Sequence, residues 1–220
     1  MALPIAVLIS GAGGNLGAIL EAIDTGRCNA RVCAVLSDRG SAAGLEHASA
    51  RGIARSVVKL KDHADREHWN RALADATAAH RPELVVLAGF MKLVDKSFVQ
   101  RFGGRVINVH PSLLPLFPGV DGPAQAVRAR VRVSGCTVHL VDDGIDSGRI
   151  IAQAVVPVLP GDDAERLHAR IKGAEHKLLP AVIHAIASGE VTLGGELRVA
   201  EPAFDDGAML VSPLLGALRS

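Results

Sequence analysis

Asn108 and His110 stand two residues apart at the end of the run Arg105 to Val109, so in a strand their side chains project from one face. Pro111 disfavours the helical region for His110 and keeps that face extended. An amide donor beside an imidazole can stabilise a developing oxyanion, and an imidazole with its ordinary pKa of about 6.5 exchanges protons near neutrality. The same pair also suits the capping of a turn. Asp146 is a third candidate, inside the glycine-flanked turn Asp142 to Gly148, where three acids in five residues serve equally well as a solvated loop. A calcium loop of the EF-hand type would need a Glu at its twelfth position and a leading helix, and neither is present. A compact His/Asp ligand set is missing too, so no metal is expected.

A second chemical signal lies at the other end of the chain. The segment Ser10-Gly11-Ala12-Gly13-Gly14-Asn15 follows an apolar run and precedes a helical one. Free backbone N–H groups and the positive end of a helix dipole then converge on one point, which suits a phosphate. The glycines serve a tight strand-to-helix turn equally well. A dinucleotide fingerprint would require Gly where Leu16 stands, and the GK[ST] of a nucleotide-triphosphate loop is absent. Asp38, at the end of the second apolar run, is where a ribose-binding acid would sit, but without the third glycine a nicotinamide site is not supported.

Positioning these groups requires a sheet. Strands are expected at Pro4–Ile9, Arg31–Ser37, Arg55–Val58, Leu84–Leu87 and Arg105–Val109, alternating with helices at Asn15–Gly26, Ala42–Arg51, Arg66–Ala79 and Lys96–Phe102. This βαβ rhythm predicts an α/β fold with a doubly wound, mostly parallel sheet and helices on both faces, Rossmann-like in its N-terminal half. The unbroken apolar run Leu84-Val85-Val86-Leu87 fits a strand buried on both sides. Six Pro and Gly residues fall between Pro111 and Pro123, which predicts a loop that carries function. Two β-rich runs follow, Cys136–Val141 and Arg149–Val158. A long helix over Asp162–Ala187 then places Leu167, Ile171, Leu178, Val182 and Ile186 on one stripe. We expect one domain over residues 1–200, with a phosphate-binding half (1–105) and a catalytic half (106–200). Residues 201–220 read as an extension in which periodicity fades.

Composition excludes several classes. The 220 residues are 49% apolar and 21% charged, which is ordinary for a globular chain and wrong for a disordered one. Twenty-four basic against 23 acidic side chains leave a net charge of +1, with no global pull on nucleic acid or membrane. The N-terminal apolar run is short, lacks a basic leader and contains Pro4, so it reads as a strand and the protein as cytoplasmic. Cys28, Cys33 and Cys136 form no CxxC pair, suggesting neither disulfides nor zinc.

Several segments together resemble the folate-dependent formyltransferases, and within them the phosphoribosylglycinamide branch. These are Ile9 through Leu16, Val86 through Met91, Ile107 through Pro115 (INVHPSLLP), Gly135 through His139, and Asp146-Ser147-Gly148. The likeness spans residues 4–192. It implies the formyltransferase fold and transfer of a formyl group from 10-formyltetrahydrofolate to the amine of glycinamide ribonucleotide, in de novo purine synthesis, without a metal. By position it makes Asn108, His110 and Asp146 catalytic. It puts Gly13, Gly14, Asn15, Lys172 and Glu175 on the ribonucleotide, although Lys172 and Glu175 also read as solvated helix charges. Arg66, Met91, Lys92, Leu93, Val94, Asn108 and the loop Asp142, Asp143, Gly144, Ile145 and Asp146 fall on the folate. His139 falls behind the catalytic groups, where a plain core histidine fits as well, and Leu114-Pro115 matches a cis bond of the family.

The chain departs from the family at Gly14, where a Ser is usual, and at Ser147, where a Gly is common. The segment Gly119-Val120-Asp121-Gly122-Pro123 also lacks the histidines frequent there. Two other readings compete. One is a deformylase that spends the same donor on water, and the other a non-catalytic nucleotide-binding module on the same fold. The partners implied are two small molecules, with neither nucleic acid nor membrane; monomer and homodimer are both compatible with the sequence.

Overall fold

The computed structural model describes residues 1–193 and the strand Leu210–Ser212. Eight strands make one sheet: β1 (Leu3–Ile9), β2 (Ala30–Ser37), β3 (Ala54–Val57), β4 (Leu84–Leu87), β5 (Val106–His110), β6 (Val133–Leu140), β7 (Ile150–Pro157) and β8 (Leu210–Ser212). Their order is β3-β2-β1-β4-β5-β6-β7-β8. The first five are parallel; β6, β7 and β8 join antiparallel. The chain winds outward from β1 to β3 and then restarts at β4 beside β1. The loops after β1 and β4 therefore diverge and open a crevice at the carboxyl ends of the strands, where ligands of such sheets bind.

Both faces of the sheet are covered, which is why its central strands are apolar without alternation. Along β1, Ile5, Val7 and Ile9 enter one core and Ala6 and Leu8 the other. The first core takes the apolar sides of α1 (Gly14–Asp24), α2 (Gly44–Ser49) and α6 (Ala164–Ser188). The second is closed by α3 (Arg66–Ala78) and α4 (Lys96–Arg101), through Trp69, Leu73, Ala74 and Phe98. All five apolar positions expected on the long helix are buried. α6 starts on Asp163, whose carboxylate accepts from the Arg166 N–H at 2.8 Å. It ends on Gly189 at φ 81°, a left-handed cap that glycine adopts without strain.

The proline-dense stretch gives up its last two residues to a helix that was not expected, α5 (Gly122–Arg128). Pro123 lies in its first turn, where a missing N–H costs nothing. Leu210–Ser212, within the expected extension, pairs with Gln153–Val155 of β7 and adds the eighth strand. The expected cis bond at Leu114-Pro115 is cis.

Candidate active site

β5 carries Asn108 and His110 to its carboxyl end, and the antiparallel β6 sets His139 opposite Asn108 and Thr137 opposite His110. The turn after β6 returns Asp146 to the same point, at φ 51°. Four side chains from three segments thus meet. The His139 Nδ1–H donates to the Leu140 carbonyl at 2.8 Å, which leaves Nε2 to accept from the Asn108 amide at 3.2 Å. Asp146 Oδ1 lies 3.5 Å from the same amide and 3.6 Å from His139 Nε2. Its other oxygen accepts from the Gly119 N–H at 2.8 Å and faces His110 Nδ1 at 3.2 Å. His110 Nε2–H donates to the Phe117 carbonyl at 2.9 Å.

His110 and His139 are almost fully buried, and only 14% of the Asp146 side chain is exposed. Burial pushes the Asp146 carboxyl up; the facing His139 ring, the Gly119 N–H and the charge of His110 outweigh it and hold the group below the usual carboxylate range. Phe117, Gly119 and Asp146 all belong to turns, so the loop after β5 and the acidic turn close on the cluster together.

The glycine turn lies across the crevice. Gly13 sits at φ 75°, and a Cβ there would stand 2.6 Å from the Gly44 Cα, so both backbone conformation and space demand glycine. At Gly14 a Cβ would come within 3.1 Å of His176 Nε2. The Asn15 Nδ2–H donates to Glu175 Oε2 at 2.9 Å, while its buried Oδ1 has no partner among the described residues. Burial lifts the Glu175 carboxyl to about 7, against the pull of the Asn15 amide and of Lys172. A solvated helix charge describes Lys172, which is exposed, but not Glu175, of which 4% is exposed. Burial and Lys172 together hold His176 below the usual histidine range.

The third group is the loop after β4. Met91 N–H donates to Ser10 Oγ at 2.8 Å, and the Ser10 hydroxyl donates to Asp38 at 2.6 Å. Asp38 is thereby a buried strut of the crevice. Arg66 donates to the Leu93 carbonyl at 2.7 Å and lies over the Trp69 ring. Met91 and Leu93 are exposed, Lys92 partly so, and Val94 is buried. Facing them, Asp142 accepts from the Gly144 N–H at 3.1 Å and from the Ser147 hydroxyl at 2.8 Å, and Ile145 is exposed. A Cβ on Gly144 would run into the Ser147 hydroxyl. Lys96 reaches Asp143 at 3.9 Å.

The candidate site residues named from the sequence lie in these three groups. Sequence reasoning missed His176, one residue beyond Glu175, and the two backbone groups, Phe117 O and Gly119 N–H, that hold His110 and Asp146. No side-chain pattern betrays a backbone partner; His176 was legible only through the position of Glu175.

A doubly wound sheet that turns antiparallel at β6, with an amide, an imidazole and a carboxylate at that seam, is the framework of a formyl-transferring enzyme. The chain belongs to the formyl transferase family, whose model matches residues 3–183. It is 49% identical over 189 residues to the phosphoribosylglycinamide formyltransferase of Mycobacterium tuberculosis (strain CDC 1551 / Oshkosh), covering 86% of this chain and 87% of that one. A crystal structure of glycinamide ribonucleotide transformylase 1 from Symbiobacterium toebii is similar with a TM-score of 0.87 and 43% identity, over 90% of this chain and 94% of the other. The trifunctional purine biosynthetic protein adenosine-3 of Drosophila pseudoobscura pseudoobscura is 44% identical over 90% of this chain, which spans 15% of that protein.

Proposed function

We propose that the enzyme moves the formyl group of 10-formyltetrahydrofolate to the amine of glycinamide ribonucleotide, giving the N-formyl ribonucleotide and tetrahydrofolate in purine synthesis. The observation that carries this reading is the meeting of Asn108, His110 and Asp146 at the crevice, with the glycine turn and the exposed loop after β4 on its rim. The residues fit both substrates. Gly13, Gly14 and the start of α1 offer N–H groups to the phosphate, and the unpartnered Asn15 Oδ1 and buried Glu175 await hydroxyl or amine donors, with Lys172 beside them. Met91, Leu93 and Ile145 supply apolar contact for the pterin, with Lys92, Val94 and the Asp142–Asp146 backbone around it and Arg66 toward the tail. The folate supplies an activated formyl carbon and a nitrogen that leaves.

The chain's own groups do the rest. One Asn108 hydrogen is fixed on His139; the other, in a weak 3.5 Å contact with Asp146, is available to the formyl oxygen as that oxygen gains negative charge. His110 keeps its Nδ1 on Asp146 and offers its Nε2–H to the same oxygen once that N–H turns from the Phe117 carbonyl. Asp146, kept ionised, takes the proton lost by the attacking amine and returns it to the departing nitrogen as the new C–N bond forms and the old one breaks. His139 orients Asn108 without touching substrate. On this reading the phosphate is held by the turn after β1, the reacting centre comes from residues 106–200, and the folate lies between the loop after β4 and the Asp142–Asp146 turn. The partners are two small molecules, with no metal, nucleic acid or membrane involved; the compartment is the cytoplasm, and each protomer of a monomer or homodimer carries a full site.

A donor labelled at the formyl carbon tests this. Label recovered in the ribonucleotide supports transfer; label recovered as formate, with or without ribonucleotide, identifies a deformylase instead.

A further inference from the structure

The carboxyl ends of three neighbouring strands, β2, β1 and β4, are tied together through one hydroxyl. Ser10 follows β1 directly, Asp38 follows β2, and Met91 lies in the loop after β4. The Ser10 hydroxyl donates to Asp38 Oδ1 at 2.6 Å and its oxygen accepts the Met91 N–H at 2.8 Å, while the Ser10 backbone N–H donates to the Gly89 carbonyl at 3.1 Å. Ser10 is 4% and Asp38 6% exposed, so water does not compete for these bonds. A serine hydroxyl rotates, and one whose hydrogen faced the Met91 N–H would repel it. A carboxylate accepts and does not donate, so Asp38 fixes that hydrogen on its own side and turns a lone pair of Ser10 toward Met91. The second carboxylate oxygen lies 3.5 Å from Nε of Arg39, whose side chain is exposed.

The loop so tied is an expensive one to hold open. Gly89 turns the chain away from β4 at φ 75°, and beyond it Met91 and Leu93 stand in solvent with apolar side chains. Such side chains gain by folding back onto the protein unless the backbone beneath them is fixed. Arg66 fixes the far side through the Leu93 carbonyl at 2.7 Å, and Phe90 stacks on Trp69 with ring centroids 6.3 Å apart. Ser10 fixes the near side, at the residue where the glycine turn begins. We infer that Ser10 and Asp38 are positioning residues for the folate: they hold the Met91 backbone so that the loop stands ready for the pterin, and touch neither substrate themselves. A loop ordered beforehand spares the ligand the entropy of ordering it, so the pair acts on donor affinity. The inference rests on the formyl-folate reading above and adds the residues that set its affinity. It also gives a task to Asp38, an acid that stands where a ribose would be bound in a nicotinamide site.

The test compares wild type with Ser10→Ala, Asp38→Ala and Asp38→Asn, by steady-state kinetics and by calorimetry with tetrahydrofolate. Ser10→Ala removes the acceptor of the Met91 N–H, and Asp38→Ala frees the hydroxyl to turn. Each should raise KM for the formyl donor and Kd for tetrahydrofolate by about tenfold, with kcat held within about twofold and KM for the ribonucleotide unchanged. Asp38→Asn keeps an acceptor oxygen toward Ser10 and should bring both donor values back to within about threefold of wild type. A pair that serves the fold alone would move kcat and both KM values together. That result, unchanged donor values in the Ala variants, or an Asn variant as impaired as the Ala one overturns the inference while leaving formyl transfer intact. Loss of folding in one Ala variant leaves the other to decide against Asp38→Asn, and loss of folding in both assigns the pair to the fold and overturns the inference. Should wild type bind tetrahydrofolate without formylating the ribonucleotide, the transfer reading fails by itself and the pattern of Kd values still judges the pair. Should wild type not bind tetrahydrofolate, the folate reading fails and the inference falls with it.

Discussion

Asn108 is oriented by its neighbours alone. His139 holds one amide hydrogen because the Leu140 carbonyl fixes its tautomer, and the proposed role uses the other hydrogen. Replacing Asn108 with Ala removes one oxyanion donor and should lower kcat by about 10²–10³; an unchanged kcat in steady-state assays would remove that role. Glu175 makes a different prediction. Its folded-state pKa of about 7 stands above the ordinary carboxyl value, so the folded state binds the extra proton. Stability from this group is fully present below the unfolded pKa and is lost as pH rises through about 7, up to about 3 kcal/mol. Glu175→Gln should therefore gain on wild type in denaturant titrations between pH 5 and 8; parallel curves would contradict the burial argument. At this scale the sequence showed Asn108 and His110 as a pair because strand geometry forces them together. Asp146 stood out only as one acid of a turn that reads equally as solvated, and Glu175 only by resemblance, since no local rule brings together residues separated by a turn or by most of the chain.

The seam between the parallel and antiparallel parts of the sheet positions the site, and its glycines are fixed by space. Gly135 in β6 faces β7 so closely that a Cβ would overlap the Ala154 carbonyl and stand 2.8 Å from Leu113. Gly135→Ala should destabilise the protein by about 1–3 kcal/mol and, by shifting the strand that carries His139, depress turnover as well. Urea unfolding with wild-type midpoint and slope would show that the strands part without cost. The parallel strands were legible because burial on both faces makes them continuous apolar runs, and α6 because its apolar stripe repeats at helical period. α5 was hidden by composition: prolines and glycines crowd its start, and only Pro123 in the first turn turns breaker into starter. β8 is three residues long and pairs with distant β7, too short for any periodicity to register.

At the scale of the molecule, two windings of one sheet meet at a crevice whose sides differ in chemistry. One side offers backbone N–H groups, Asn15 and Glu175, the other apolar side chains and backbone, and the seam between them holds Asn108, His110 and Asp146. A site that binds an amine-bearing phosphate on one side and a formyl donor on the other should leave the donor intact until the amine arrives. The most direct measurement is the rate at which tetrahydrofolate appears from 10-formyltetrahydrofolate with and without glycinamide ribonucleotide. Turnover that depends on the ribonucleotide, with near-zero loss in its absence, is the predicted result. An equal rate without it would mean that water is the acceptor and that the glycine turn, Asn15 and Lys172 have no part in the reaction.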